Sequence, residues 1–187
     1  MVRLVLLLAL VLLPWPATAS EWGGIQPGVT TVEQVRERYG PPSKESRPKL
    51  EGYDTLTWVY EGGRAPAGIA RLTVEFGLLT AAGYKPGLVR IFTLEPKPLI
   101  FGRATLIQGW GVPDGKADNS DGTMTLIWRE GLLATLDTPG EQATKMIFSM
   151  PQPGLLPKSA APASPGPPPN STAPAPAAPP AAPAPRR

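Results

Sequence analysis

In the stretch DTLTWVYE (residues 54–61), Leu56, Trp58 and Tyr60 occupy every second position, with Thr55, Thr57 and Val59 between them. Successive side chains of a strand point to opposite faces, so this spacing dictates a β-strand with one apolar side. IARLTVEF (69–76) repeats it, Ala70, Leu72, Val74 and Phe76 alternating with Arg71, Thr73 and Glu75. GLVRIFTLE (87–95) reads as a third strand, but its pattern does not choose an inward set. Gly-rich segments at 61–68 and 81–87 supply the turns. Three such strands in a row describe an antiparallel meander with a face that must be covered.

The cover precedes them. In GVTTVEQVRERYGPP (28–42), Thr30 is a suitable N-cap, and Glu33 stands where a carboxylate returns a hydrogen bond to the cap. Val32, Val35 and Tyr39 then fall on one stripe of a helix. Gly40 closes it and Pro41-Pro42 prevents continuation. A helix of about nine residues is too short to stand alone in water, so it lies on the sheet.

The second half reads as a shorter copy of the first. LIFGRATLIQGW (99–110) is a weaker helix candidate that ends at Gly111-Val112-Pro113, with Trp110 where Tyr39 stood. A polar loop, DGKADNSDG, leads to MTLIW (124–128), which matches LTWVY in pattern, and LLATL (132–136) and TKMIFSM (144–150) follow. The fold class expected is α+β: a tandem repeat of a two-layer helix-on-antiparallel-sheet module, over 20–96 and 97–150, with the two sheets joined edge to edge.

The termini are of another character. Residues 1–19 have the form of a signal peptide: Arg3 near the start, an apolar run from Leu4 to Leu13, and Ala17-Thr18-Ala19 as cleavage site. Ten apolar residues are too few to span a bilayer, and no Cys follows to accept a lipid. The expectation is export across the inner membrane to the periplasm or cell envelope, with neither transmembrane span nor lipid anchor. From 151 to 187 the chain holds 14 of its 26 prolines among Ala, Ser and Gly, and reads as a disordered Pro/Ala-rich tail that can extend toward the cell wall. Residues 20–150 carry 14 Lys+Arg against 15 Asp+Glu, a net −1, which does not suit a nucleic-acid-binding surface.

Chemistry is mostly excluded by residue type. With no His and no Cys, the chain lacks a His base, a Cys nucleophile and the usual zinc ligands, so neither cofactor nor metal nor catalytic residue is assigned. Asp114, Asp118, Asn119 and Asp121 offer oxygens to calcium, but their spacing is not that of an EF-hand and Asp121-Gly122 is explained by a tight turn. SKESRPKLEGYD (43–54) reads as a solvated loop.

The segment IQPGVTTVEQVRERYGPPSK, followed by TLTWVY, resembles the SmpA/OmlA (BamE-like) outer-membrane assembly family: Ile and Pro-Gly before a Thr-capped helix, Gly-Pro after it, then a strand centred on Trp58 and Tyr60. The likeness covers about residues 25–62 well and 99–136 loosely, and the tandem arrangement resembles the β-lactamase inhibitor protein fold. It implies a non-enzymatic binding or assembly protein acting by contact with another envelope protein, or alternatively an inhibitor of an envelope enzyme that uses the open sheet face. The chain departs from the first in having no lipid-acceptor Cys and from the second in having no disulfide. Carried onto the strands, it makes Thr57, Arg71, Thr73, Glu75, Thr125, Ile127 and Arg129 the candidate partner-binding residues. Trp22 joins them as the exposed aromatic, because Trp58, Trp110 and Trp128 fall on core positions.

Overall fold

The computed structural model describes residues 20–151; the expected leader and the Pro/Ala-rich segment from 152 onward lie outside the described residues. Its elements are α1 (Val32–Tyr39), β1 (Lys44–Ser46), β2 (Lys49–Leu50), β3 (Tyr53–Asp54), β4 (Leu56–Glu61), β5 (Ile69–Thr80), β6 (Gly83–Pro96), α2 (Arg103–Trp110), β7 (Gly115–Asp118), β8 (Met124–Trp128), β9 (Leu132–Leu136) and β10 (Ala143–Ser149). Apart from the small β2–β3 hairpin, every strand belongs to one antiparallel sheet in the order β1-β4-β5-β6-β10-β9-β8-β7.

This overturns the expected tandem of helix-on-sheet modules. The described residues are mostly sheet, dominated by the eight-stranded one, with only two α-helices among them, of eight residues each. One apolar cluster runs under it from Ile25 and Trp58 to Trp128 and Phe148, drawing on both halves of the sequence. Period-two runs identify strands but carry no information about which strands pair, and the β6–β10 contact that makes the sheet continuous leaves no local signal. The segment 114–122 was expected as loop, yet Gly115–Asp118 pairs with β8 as an edge strand.

The register fixes the two faces. Trp58, Val74, Phe92, Phe148, Leu132 and Trp128 are successive cross-strand partners, all buried. Phe92 and Phe148 stack with centroids 4.4 Å apart, and Trp110 and Leu106 of α2 complete the layer. On α1, Val35 is buried and Tyr39 packs at 5.8 Å from Tyr60.

Local departures have local causes. The cap of α1 is Thr31, whose hydroxyl accepts from Gln34 N–H at 3.4 Å while Gln34 Oε1 accepts from Thr31 N–H at 2.9 Å. Thr30 is buried and its hydroxyl accepts from Gln26 N–H at 2.8 Å, so the neighbouring Thr-x-x-Gln pair wins over Thr-x-x-Glu. A register shift between Ile69 and Arg71 turns Ala70 outward and buries Ile69 instead. The turn expected at 81–87 is only Ala81-Ala82, since Thr80 pairs with Gly83 and the hairpin strands run on. The helix expected from 99 starts at Arg103, with Gly102 as an N-cap that offers no side chain.

Candidate functional site

The face away from the helices is built by the intervening residues. Val59, Thr73, Thr93, Ile147, Leu133 and Ile127 are direct cross-strand neighbours, one after another across six strands. At about 4.8 Å per strand this row is roughly 24 Å long. Its β-branched and threonine pairs are those that stabilise sheets, by about 0.2–1 kcal/mol each. Ile127 is only 7% exposed, although it points away from the main core, while the other five are half-buried.

Charged groups flank the row, and most of them pair with one another. Arg71 Nε lies 3.3 Å from Glu61 Oε2 and its Nη1 3.4 Å from Glu95 Oε1, and Lys44 Nζ lies 2.6 Å from Glu61 Oε1. The Lys44 ammonium foremost, with Arg71, holds the Glu61 carboxyl below the usual carboxylate range. On the other flank, Arg90 Nη2 meets Glu75 Oε2 at 2.6 Å. Toward β7, Asn119 Nδ2 donates to Thr125 Oγ1 at 3.1 Å and the Thr125 and Thr135 hydroxyls lie 3.4 Å apart, while the exposed Lys145, cross-strand partner of Thr135, stands on the same face outside the ion pairs of the described residues.

Of the residues expected from sequence, Thr57, Arg71, Thr73, Glu75, Thr125 and Ile127 share this face by register. Arg129 stands beyond the end of β8, its backbone N–H donating to Asp114 Oδ2 at 2.8 Å and its Nε 4.0 Å from Oδ1. Trp22 is half-buried and packs against the core cluster, so it is not brought to the face. Sequence reasoning missed Arg90, Thr93, Leu133 and Ile147. A bulge explains the first two: Glu75 pairs with Ile91 but Phe76 with Val89, so Arg90 is an extra residue and the inward positions change parity there. That shift is why GLVRIFTLE gave no readable inward set.

Elsewhere the surface offers less. A shallow depression of about 550 Å³ lies beside α1, lined by Glu21, Gln26, Thr30, Gln34, Glu37 and Arg38, and a second of about 490 Å³ lies near Glu33, Arg47 and Asp54. Neither pairs a nucleophile with a histidine base, the sequence having none. Among the described residues no three carboxylates gather closely enough to hold a metal ion. Asp121, from the loop considered for calcium, instead accepts from Thr123 N–H at 3.0 Å and the Thr123 hydroxyl at 2.6 Å. No helix among the described residues is long and apolar enough to cross a membrane.

Comparison of the chain with protein-family models, curated proteins and solved structures gives no match. The likeness to the SmpA/OmlA pattern therefore rests on the residues quoted for it.

Proposed function

We propose that this chain is a non-enzymatic binding protein exported to the cell envelope, where it takes a partner protein on the open face of its sheet. The observation that carries the reading is the row from Val59 to Ile127, apolar or threonine at each position, bordered by the paired Arg71 and Arg90 and by the exposed Lys145. Covering a surface of that kind desolvates methyl groups, with the Arg71 and Arg90 ion pairs already made and Lys145 left to meet a carboxylate of the partner. Export is supported by residues 1–19, and a role in outer-membrane assembly by the SmpA/OmlA-like segment.

A photo-crosslinking residue placed at Thr93, in the middle of the row, tests this in intact cells against the same residue at Glu37, exposed on the helix side. Expected is a discrete adduct from position 93 that disappears with Ile147→Arg and is absent from position 37. Equal yields from both positions, or an adduct indifferent to Ile147→Arg, would reject the face as the binding surface. If the captured protein is an enzyme that loses activity in the complex, the inhibitor reading replaces the assembly one.

A further inference from the structure

The sheet has two edges, β1 and β7. An edge strand presents unpaired backbone N–H and C=O groups, and charges on it commonly serve to repel another edge. The edges here differ in that respect. On β1, pairing centred on the strand sets Glu45 against Glu45 of a second copy, and this carboxylate is already engaged by Arg47 at 2.8 Å and the Trp58 indole at 3.0 Å. On β7, Lys116 and Asp118 are exposed, lie two residues apart on one face, and belong to none of the ion pairs among the described residues.

Symmetry then restricts how β7 meets itself. A two-fold axis perpendicular to the sheet keeps both helix layers on the same side, so each residue must face a partner of the same parity. Centred on Lys116, that pairing sets lysine against lysine; centred on Asp118, aspartate against aspartate. Centred on Ala117, it places Lys116 of each copy opposite Asp118 of the other, twice, with only two alanine methyls meeting on the axis. Opposite charges directly across an antiparallel pair stabilise it, and like charges destabilise it.

We infer that β7 is a self-complementary edge through which two copies of this chain join, Ala117 on the two-fold axis, into one sheet of doubled width. This is independent of the open face, which stays uncovered in such a dimer. The sequence contains no Cys, so a single introduced thiol reports the register without background.

The purified full chain is examined by sedimentation equilibrium, and an Ala117→Cys variant is oxidised beside a Lys116→Cys one. A concentration-dependent dimer is expected, weakened at least about tenfold by Lys116→Glu or Asp118→Lys alone and restored when both reversals are combined. Ala117→Cys should crosslink to a dimer far faster than Lys116→Cys, whose thiol faces Asp118 of the other copy. A monomer at every concentration up to about 1 mM overturns the inference, since such a contact is weaker than any specific one. So does a dimer indifferent to the reversals, or equal crosslinking at 116 and 117. Circular dichroism separates loss of the dimer from loss of the fold, and the cysteine pair gives the register even where a charge reversal unfolds the chain.

Discussion

The indole N–H of Trp58 donates to Glu45 Oε2 at 3.0 Å, a bond that fastens the edge strand β1 to the largest side chain of the core. The Arg36 guanidinium of α1 lies 5.1 Å over the same ring, so helix, edge and core meet on one residue. Trp58→Ala is expected to cost about 3–5 kcal/mol, the usual penalty for emptying a buried aromatic site. Equilibrium denaturation followed by circular dichroism measures it; a loss below 1 kcal/mol would mean that Trp58 is not the anchor described.

Gly131 and Gly40 both have positive φ, 106° and 73°, but they answer to different constraints. A Cβ on Gly131 would stand 2.0 Å from the Ser149 carbonyl oxygen, which is backbone and part of the closure between β8–β9 and β10. On Gly40 a Cβ meets nothing within 4 Å. Gly40 has φ 73° and ψ −161°, a region reserved almost wholly to glycine, so Gly40→Ala should cost only that backbone strain, about 1–3 kcal/mol, and Gly131→Ala clearly more. Thermal unfolding of the two variants side by side decides; equal losses would contradict the steric account.

The acid limb of stability should depend on Asp137. Its carboxylate accepts from the backbone N–H groups of Gln142 at 3.0 Å and Glu141 at 2.8 Å, and these, Gln142 foremost, hold its pKa below the ordinary 3.8. A group lowered on folding stabilises the native state above its unfolded pKa, and that contribution fades as pH falls from about there through the folded value. Tm measured from pH 7 to pH 2 should thus fall less steeply at the acid end for Asp137→Asn than for the unsubstituted chain.

Tyr60 governs the opposite limb. Burial pushes its phenol up to about 12 from 10.0, and its hydroxyl donates to the Gly40 carbonyl at 3.2 Å. For a group raised on folding the stabilisation is complete below the unfolded pKa and disappears as pH rises through the folded one. Alkaline unfolding is expected to set in between about pH 10 and 12 and to shift upward in Tyr60→Phe, read by far-ultraviolet circular dichroism. An unchanged alkaline midpoint would show that another group controls it.

Much of this architecture is written in short-range pattern. MTLIW and LLATL are strands with the bounds their alternation suggests, and Gly40 and Gly111 end their helices. What the alternation cannot carry is pairing: that Leu94 takes Met146, far along the chain, leaves no local signal, and the reading of two helix-covered modules failed because the sheet so formed is one, with a shared core and two short helices. Bulges were illegible for a related reason. At Ile69 and again at Arg90 an extra residue reverses the parity on which inward and outward are told apart. Six open-face residues were found because they lie on stretches that alternate without interruption, 71–75 of β5 among them, whereas Arg90 and Thr93 flank the bulge of β6. Ile147 escaped notice because TKMIFSM offers Met146 and Phe148 as an equally apolar alternate set.

The pairing of β10 between β6 and β9 also sets an order of events. The strand nearest the C-terminal end of the described region occupies the middle of the sheet, not its rim. A chain delivered from its N-terminus onward holds two half-sheets with raw inner edges until Ser149 has emerged, and only then can they close. Long-range pairing of that kind forms late and slowly. Closure of the common core is thereby deferred until the last strand of the described region is available, and until then the edges of β6 and β9 stay open to any other strand.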